Sequence, residues 1–377
     1  MNAFGIIFAN IHDGNLPEMT TRRTIGSVPF GCRYRLIDFT LSNMVNSNIN
    51  KVGVITHFNY QSLMDHLGTG KDWDLARRSG GIKILPPYIT AYDNTSGDSL
   101  ESSRLHSLKG SLNFITRSTE EYAVLSDCDA ICNIDLNKVM EFHLQNDADI
   151  TIVGKKAILH REDVGKQIIL ETDADGNVVE FMEQTSDLSG ERIISTNIII
   201  LKRELLLSIV LEALSHNHRH LYKDSFSSCL ESKKIVVYEH TGYYATIKSI
   251  TDYYKCNMEL LDSDTRESLF NVSRRAIYTK VRNSTPTKYD STAIVENSLV
   301  ADGCIIEGTV RNSILFRGVK IGKGTVVENS IMLQDTYTGE NVKLNCVITD
   351  KNVVIRDGRN LSGHETMPFY ITKGAMI

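Results

Sequence analysis

A short motif returns four times in the last quarter of the chain, and it limits the folds open to that region more than any other feature. Val295-Glu-Asn-Ser-Leu-Val, Val310-Arg-Asn-Ser-Ile-Leu and Val327-Glu-Asn-Ser-Ile-Met repeat one another, and Lys343-Leu-Asn-Cys-Val-Ile follows in weaker form. Their asparagines fall at 297, 312, 329 and 345, spaced by 15, 17 and 16 residues. Glycines from Gly303 to Gly358 punctuate the intervals between short β-branched pairs. A period near three hexads is one coil of a parallel β-helix, with three short strands per turn. One coil cannot bury its apolar face alone, so coils stack and the asparagines fall in register. An ordinary antiparallel β-domain predicts alternation but no fixed repeat.

The earlier part of the chain has a different texture. Phe4 to Ala9, Lys51 to Thr56, Tyr122 to Ser126 and Ile150 to Gly154 are short β-rich runs, with enough residues between them for crossover helices. Leu36 to Asn48 reads as one such helix, with Leu36, Phe39, Leu41, Met44 and Val45 broadly on one face. Continuous apolar runs suit a parallel sheet covered on both sides, and a ligand of such a layer belongs beyond the carboxyl ends of its strands. The fold class is therefore α/β, a doubly wound layer followed by a parallel β-helix. The expected division is 1–250 for the layer, 251–286 for an amphipathic helix and polar linker, and 287–377 for the solenoid.

Lysine and arginine number 41 against 46 aspartates and glutamates, a net charge of -5. Such a surface has no bulk attraction for nucleic acid or an anionic membrane, so neither is an expected partner and any phosphate site must be local. No apolar run approaches the roughly eighteen residues of a membrane helix. The start, MNAFGIIFAN, lacks the basic region of a secretory signal and reads as a first strand. The 7 cysteines are scattered and form no CxxC pair. Reduced thiols, and with them a cytoplasmic location, are the expectation. His216, His218 and His220 alternate in a zinc-like way, but no fourth ligand is nearby and a solvated loop is the simpler reading.

Chemistry concentrates in Val28-Pro-Phe-Gly-Cys-Arg-Tyr-Arg-Leu-Ile-Asp-Phe-Thr. Pro29 and Gly31 shape a loop, Arg33 and Arg35 supply guanidinium groups, and Asp38 lies near a helix start. Clustered arginines on an acidic protein suit a two-pronged grip on phosphate. They suit pairing with Asp38 and neighbouring carboxylates equally well, and the residues alone leave both readings open.

This stretch resembles the matching segment of glucose-1-phosphate adenylyltransferase (ADP-glucose pyrophosphorylase), the enzyme of bacterial glycogen and plant starch synthesis. Ser62-Leu-Met-Asp-His-Leu-Gly-Thr-Gly, Ile84-Leu-Pro-Pro, Tyr253-Tyr-Lys-Cys-Asn-Met-Glu-Leu-Leu and the hexad repeat extend the resemblance over nearly the whole chain. It implies a Rossmann-like nucleotidyltransferase domain, a C-terminal left-handed parallel β-helix and a tetrameric assembly.

Against that pattern the chain departs at four places. The glycine-rich phosphate loop of the family's catalysts, ending in arginine and leucine, becomes Ala9-Asn-Ile-His-Asp-Gly-Asn-Leu-Pro-Glu-Met-Thr, with one glycine, Gly14, and added acids at Asp13 and Glu18. Backbone amides need close approach to phosphate, which side chains obstruct. The Lys-Pro-Ala expected before Val-Pro-Phe-Gly is Ile25-Gly-Ser, and the Glu-Lys-Pro signature is Glu183-Gln-Thr, so Ile25 and Gln184 stand where lysines are implied. The family resembles other sugar nucleotidyltransferases in holding Mg²⁺ between two aspartates. Here Asp129 stands at or next to the first place and Thr246 at the second, with Lys248 close by.

The resemblance with these losses implies a non-catalytic regulatory or stabilising subunit in glycogen biosynthesis, with no catalytic set or metal site intact and no cofactor of its own. Mg²⁺ would serve a homologous catalytic partner in a heterotetramer. Arg22, Arg33 and Arg35 match family positions that bind phosphorylated metabolites or inorganic phosphate, so an effector site is expected there. The alternative is an active adenylyltransferase with a phosphate loop rebuilt from Asn10, His12 and Arg22 or Arg23. A hexapeptide-repeat acyltransferase would want a histidine base at a coil interface, where the solenoid offers only His364 near its end.

Overall fold

The computed structural model describes residues 1–9, 11–86, 103–159, 167–183, 185 and 190–377. Strands before the solenoid are β1 (Ala3–Phe8), β2 (Pro29–Phe30), β3 (Tyr34–Arg35), β4 (Lys51–Ile55), β5 (Gly81–Leu85), β6 (Tyr122–Asp127), β7 (Ile131–Cys132), β8 (Ile150–Leu159), β9 (Ile168–Thr172), β10 (Val178–Glu183), β11 (Gly190–Lys202), β12 (Ile235–Glu239) and β13 (Tyr244–Ala245). The main sheet runs β10-β9-β11-β6-β1-β4-β5, with β8 beside β11 and β12 beside β8.

β5, β4, β1 and β6 are parallel, as are β8 and β12. β11 departs from the expected all-parallel layer and runs antiparallel to both β6 and β8. The described residues between β8 and β11 form the antiparallel strands β9 and β10 and no helix, and parallel pairing needs a crossover connection. β1 shows why both faces are covered. Phe4, Ile6 and Phe8 join one apolar cluster with Leu105 and Leu108, while Ile7 joins the other with Leu36, Phe39 and Met44. The helix Leu36–Asn46 is the expected crossover, and its capping box pairs the backbone N–H of Arg35 with Asp38.

The solenoid is three sheets of five parallel strands each, stacked as five coils. Ile306, Ile321, Val310, Val327, Leu315 and Met332 fill its interior. Asn297 donates from Nδ2 to Asn312 Oδ1 at 2.8 Å, and Asn329 to Asn345 at 2.9 Å. Asn297, Asn312 and Asn329 hold the corner in the left-handed backbone region, at φ 40°, 44° and 47°. That role passes to Cys346, at φ 52°, in the weaker fourth repeat.

Side chains on a strand alternate, and the solenoid uses the outer face of one sheet to dock the layer. Leu315 and Met332 point inward, while their neighbours Ile314 and Ile331, with Ile348, join the core cluster of the N-terminal layer. The helix Ile250–Met258 bridges the two, because Tyr253 and Tyr254 are both buried and Tyr254 Oη donates to the backbone oxygen of Asn329 at 2.7 Å. Arg23 of the layer and Asp350 of the solenoid form a buried ion pair at 2.6 Å. No helix among the described residues is long and apolar enough to cross a membrane.

Candidate functional site

The carboxyl ends of β1 and β6 lie side by side, Phe8 opposite Asp127. This is where strand order reverses in the parallel part of the sheet, and where an open α/β layer places its ligand. β6 delivers Asp127, and the turn after it delivers Asp129; both are 2% exposed. β13 pairs with β7, Ala245 opposite Ile131, which brings Thr246 to the same point. Thr246 Oγ1 donates to Asp129 Oδ2 at 3.2 Å.

An imidazole and a guanidinium fill the space around these acids. His12 Nδ1 contacts Asp129 Oδ2 at 2.6 Å. Arg104, at the start of the helix Arg104–Gly110, donates from Nε to Asp127 Oδ1 at 2.9 Å and from Nη2 to Oδ2 of the same carboxylate. Its Nη2 also lies 3.2 Å from His12 Nε2. Burial alone would lower the pKa of His12, but contact with Asp129, reinforced by Asp127, raises it above the usual value. Burial pushes the Asp129 carboxyl up, while His12 and Arg104 together hold it below the usual range. The cluster sets two carboxylates against a guanidinium and an imidazole.

The loop between β1 and the helix Pro17–Thr20 has its own anchor. Asp13 Oδ1 accepts from the backbone N–H of Ile25 at 2.6 Å. Burial raises the Asp13 carboxyl to about 7, against the pull of that hydrogen bond. Ile25, where the resemblance implies a lysine, is 1% exposed and turned into the core. Gln184 lies outside the described residues. A cleft of about 350 Å³ opens beside Arg104, lined by Ile11, Ile168, Phe181, Leu221 and Tyr222, with Lys223 at its edge. His220 lines this cleft rather than joining His216 and His218 in a metal cluster.

A second concavity lies between the layer and the solenoid. It is narrow, about 30 Å³, and its cations are Arg33, Arg35, Lys280, Arg282, Arg317 and Lys351. Arg33 and Arg35 are therefore brought together as expected. Arg22 is not: it is exposed on the turn after a short helix, and its neighbour Arg23 takes the inward place against Asp350. Sequence reasoning placed Asp129 and Thr246 but missed Arg104, Asp127 as its partner, and the solenoid's contribution to the cleft. No local motif marks Arg104, and Lys351 follows Arg35 by more than three hundred residues.

Residues 15–263 match the family model described as nucleotidyl transferase, and residues 283–367 match the model described as GlmU-like, C-terminal hexapeptide. The chain is 35% identical over 374 residues to the glycogen biosynthesis protein GlgD of Bacillus subtilis, covering 98% of this chain and 95% of that protein. It is 32% identical to the glucose-1-phosphate adenylyltransferase of Bacillus cytotoxicus, covering 95% and 94% of the two chains. With the adenylyltransferase of Bacillus cereus the identity is 31%, covering 94% and 93%. The chain belongs to the glucose-1-phosphate adenylyltransferase family. Its fold is accordingly a Rossmann-like nucleotidyltransferase layer with a C-terminal left-handed β-helix.

The adenylyltransferase family implies Mg²⁺ in catalysis, and the residues here do not fit it. His12, Asp127 and Asp129 offer ligand atoms within 4.8 Å of one another. Mg²⁺ takes an octahedral shell of oxygens, whereas one of these carboxylates is held by a guanidinium and the other by an imidazole. The hydroxyl of Thr246 donates a hydrogen bond to Asp129 and adds no negative charge.

Proposed function

We propose that this chain is a non-catalytic subunit of glucose-1-phosphate adenylyltransferase, acting in glycogen synthesis beside a homologous catalytic subunit. The partner converts ATP and glucose-1-phosphate into ADP-glucose and pyrophosphate, and uses the Mg²⁺. One observation carries the reading: Asp129, the acid expected to face the metal, is already satisfied by His12 and Thr246. In-line displacement at a triphosphate develops negative charge that needs a metal or free cations in that place. Here the nearby cations are committed to the protein's own carboxylates.

The regulatory role is supported by the cleft between layer and solenoid. Arg33 and Arg35 lie on it, and among the described residues its lining includes six lysines and arginines, His66 and no carboxylate. A space of about 30 Å³ is room for roughly two waters, which suits a small oxyanion or the terminal phosphoryl group of a metabolite. Assembly into a heterotetramer is supported by the first coil of the solenoid. Its strands Lys288–Tyr289, Ile294–Glu296 and Leu299–Val300 form the outer edge of all three sheets, and Ile294 is 46% exposed. Solenoids need polar terminal caps to remain separate, and open strand edges invite pairing. A partner with a like solenoid meets that need, in the cytoplasm where both chains belong.

The deciding experiment measures ADP-glucose synthesis by the chain alone, by a catalytic homologue alone, and by the two together over a range of phosphate and sugar phosphate concentrations. No turnover by the chain alone, with a changed activation curve for the mixture, is the expected result. Robust turnover by the purified chain alone overturns the proposal in favour of a rebuilt catalytic loop.

A further inference from the structure

The solenoid contributes two cations to the cleft, Arg317 and Lys351, and the groups around Lys351 make it unlike the others. The adjacent carboxylate, Asp350, is already engaged three ways. Arg23 Nη2 donates to both of its oxygens, at 2.8 and 2.6 Å, Tyr370 Oη donates at 2.9 Å, and the backbone N–H of Lys351 itself donates at 2.6 Å. Other carboxylates near the cleft are committed too. Asp38 bonds the backbone N–H of Arg35 and the ring of His66, and Asp302 pairs with Arg317 at 3.0 Å. Lys280 donates to the backbone oxygen of Asp65, whose carboxylate acts on Arg35 from a distance. Arg33 lies over the ring of Tyr34.

What faces Lys351 is therefore mainly positive: Arg35 from the layer, Arg23 from the turn before it, and Arg282 from the linker. Arg23 is 4% exposed and its Nη1 has no hydrogen-bond partner among the described residues. A guanidinium cannot shed its proton near neutral pH, but an ammonium can. The cheapest relief of this crowding is loss of a proton from a lysine. Burial, followed by repulsion from Arg35 and Arg23, brings Lys351 down to about 7.

We propose that this cleft binds a small oxyanion together with one proton, and that Lys351 is the group that receives the proton. The proposal rests on the reading of the cleft as an anion site. An oxyanion reverses the field at Lys351, so the ammonium returns as the anion enters. The cleft then presents a full cationic set only when it is filled, and its affinity is tied to pH across the physiological range.

The test uses sulfate, which does not itself titrate near neutrality, and the full-length chain. Calorimetric titrations at about pH 6.5 and 8.5, each in two buffers of different ionisation enthalpy, give the protons taken up per sulfate bound. Linkage predicts uptake near one at the higher pH and only a few tenths or less at the lower, with affinity falling towards tenfold per pH unit between them. Lys351→Arg, which holds its charge, retains sulfate binding and loses both the uptake and the pH dependence. Sulfate binding with buffer-independent heats at pH 8.5 overturns the proton linkage and leaves the anion site standing. Uptake that persists in Lys351→Arg assigns the proton elsewhere and overturns the role of Lys351. Absence of sulfate binding at either pH overturns the anion site and the linkage with it.

Discussion

Arg104 is the residue on which the altered character of the nucleotidyltransferase site turns. Its guanidinium grips Asp127 with two nitrogens, and the side chains are 16% and 3% exposed. Removing one partner of a buried ion pair strands the other charge and costs about 3–5 kcal/mol, whereas replacing both with apolar groups costs far less. Arg104→Ala is thus expected to lower stability by about that amount in urea unfolding, and Arg104→Met combined with Asp127→Leu to recover most of it. Equal losses in the single and double variants would show that the pair is not what stabilises this corner. Asp129 and Thr246 were legible in the sequence because each sits in a run whose neighbours keep the family pattern. Arg104 was not, since its partner Asp127 is 23 residues further on and the two meet only in the folded chain, where β6 ends beside β1. The place of Arg22, exposed while its neighbour Arg23 is buried, was not legible for a related reason. Adjacent arginines are equivalent in a sequence, and the buried carboxylate of Asp350 decides which of them turns inward.

At the scale of the element, the solenoid coil was readable because its period is enforced by backbone sterics. Gly322 shows the mechanism: a Cβ there would lie 2.3 Å from the carbonyl oxygen of Gly339 in the next coil, and a backbone atom cannot yield as a side chain can. Gly322→Ala is expected to cost about 1–3 kcal/mol, the usual range for overpacking, read as a lower midpoint in thermal unfolding followed by β-sheet circular dichroism. The asparagine corners make a finer comparison. Asn312 sits at φ 44° and accepts from Asn297. Both Asn312→Ala and Asn312→Gly lose that bond, but only alanine pays the left-handed backbone penalty of about 1–2 kcal/mol. Glycine should therefore be the milder change, and an alanine variant as stable as the glycine one would remove the backbone explanation of the repeat. The α/β layer was less legible than the solenoid. Its parallel strands were found as apolar runs, but the antiparallel direction of β11 is set by how the strands are connected, which apolar runs do not encode.

For the whole molecule, the layer and the solenoid share one core through Ile314, Ile331 and Tyr254, so the cationic cleft between them is built into the fold. That placement makes Lys351 a cost to stability whose size depends on pH. The lysine has an ordinary value of 10.5 and is held at about 7 in the folded chain. Between those values the unfolded chain carries a proton that the folded chain has released, so raising the pH favours the folded state. Below about 7 both states are protonated, and the full penalty of burying the ammonium among arginines remains. Lys351→Met removes the group and with it the penalty. The variant is expected to be the more stable protein at pH 6.5, and its advantage should shrink by up to about 1.4 kcal/mol per pH unit as pH rises from about 7.5 to 9.5. Chemical unfolding of both proteins in sulfate- and phosphate-free buffers measures this difference, and other titrating groups common to the two chains cancel. Adding sulfate at pH 6.5 should narrow the gap from the other side, because an anion stabilises more the chain that still holds the ammonium. A stability difference that stays constant from pH 6.5 to 9.5 would mean that Lys351 keeps its proton throughout, and that water reaching the cleft screens its neighbouring arginines.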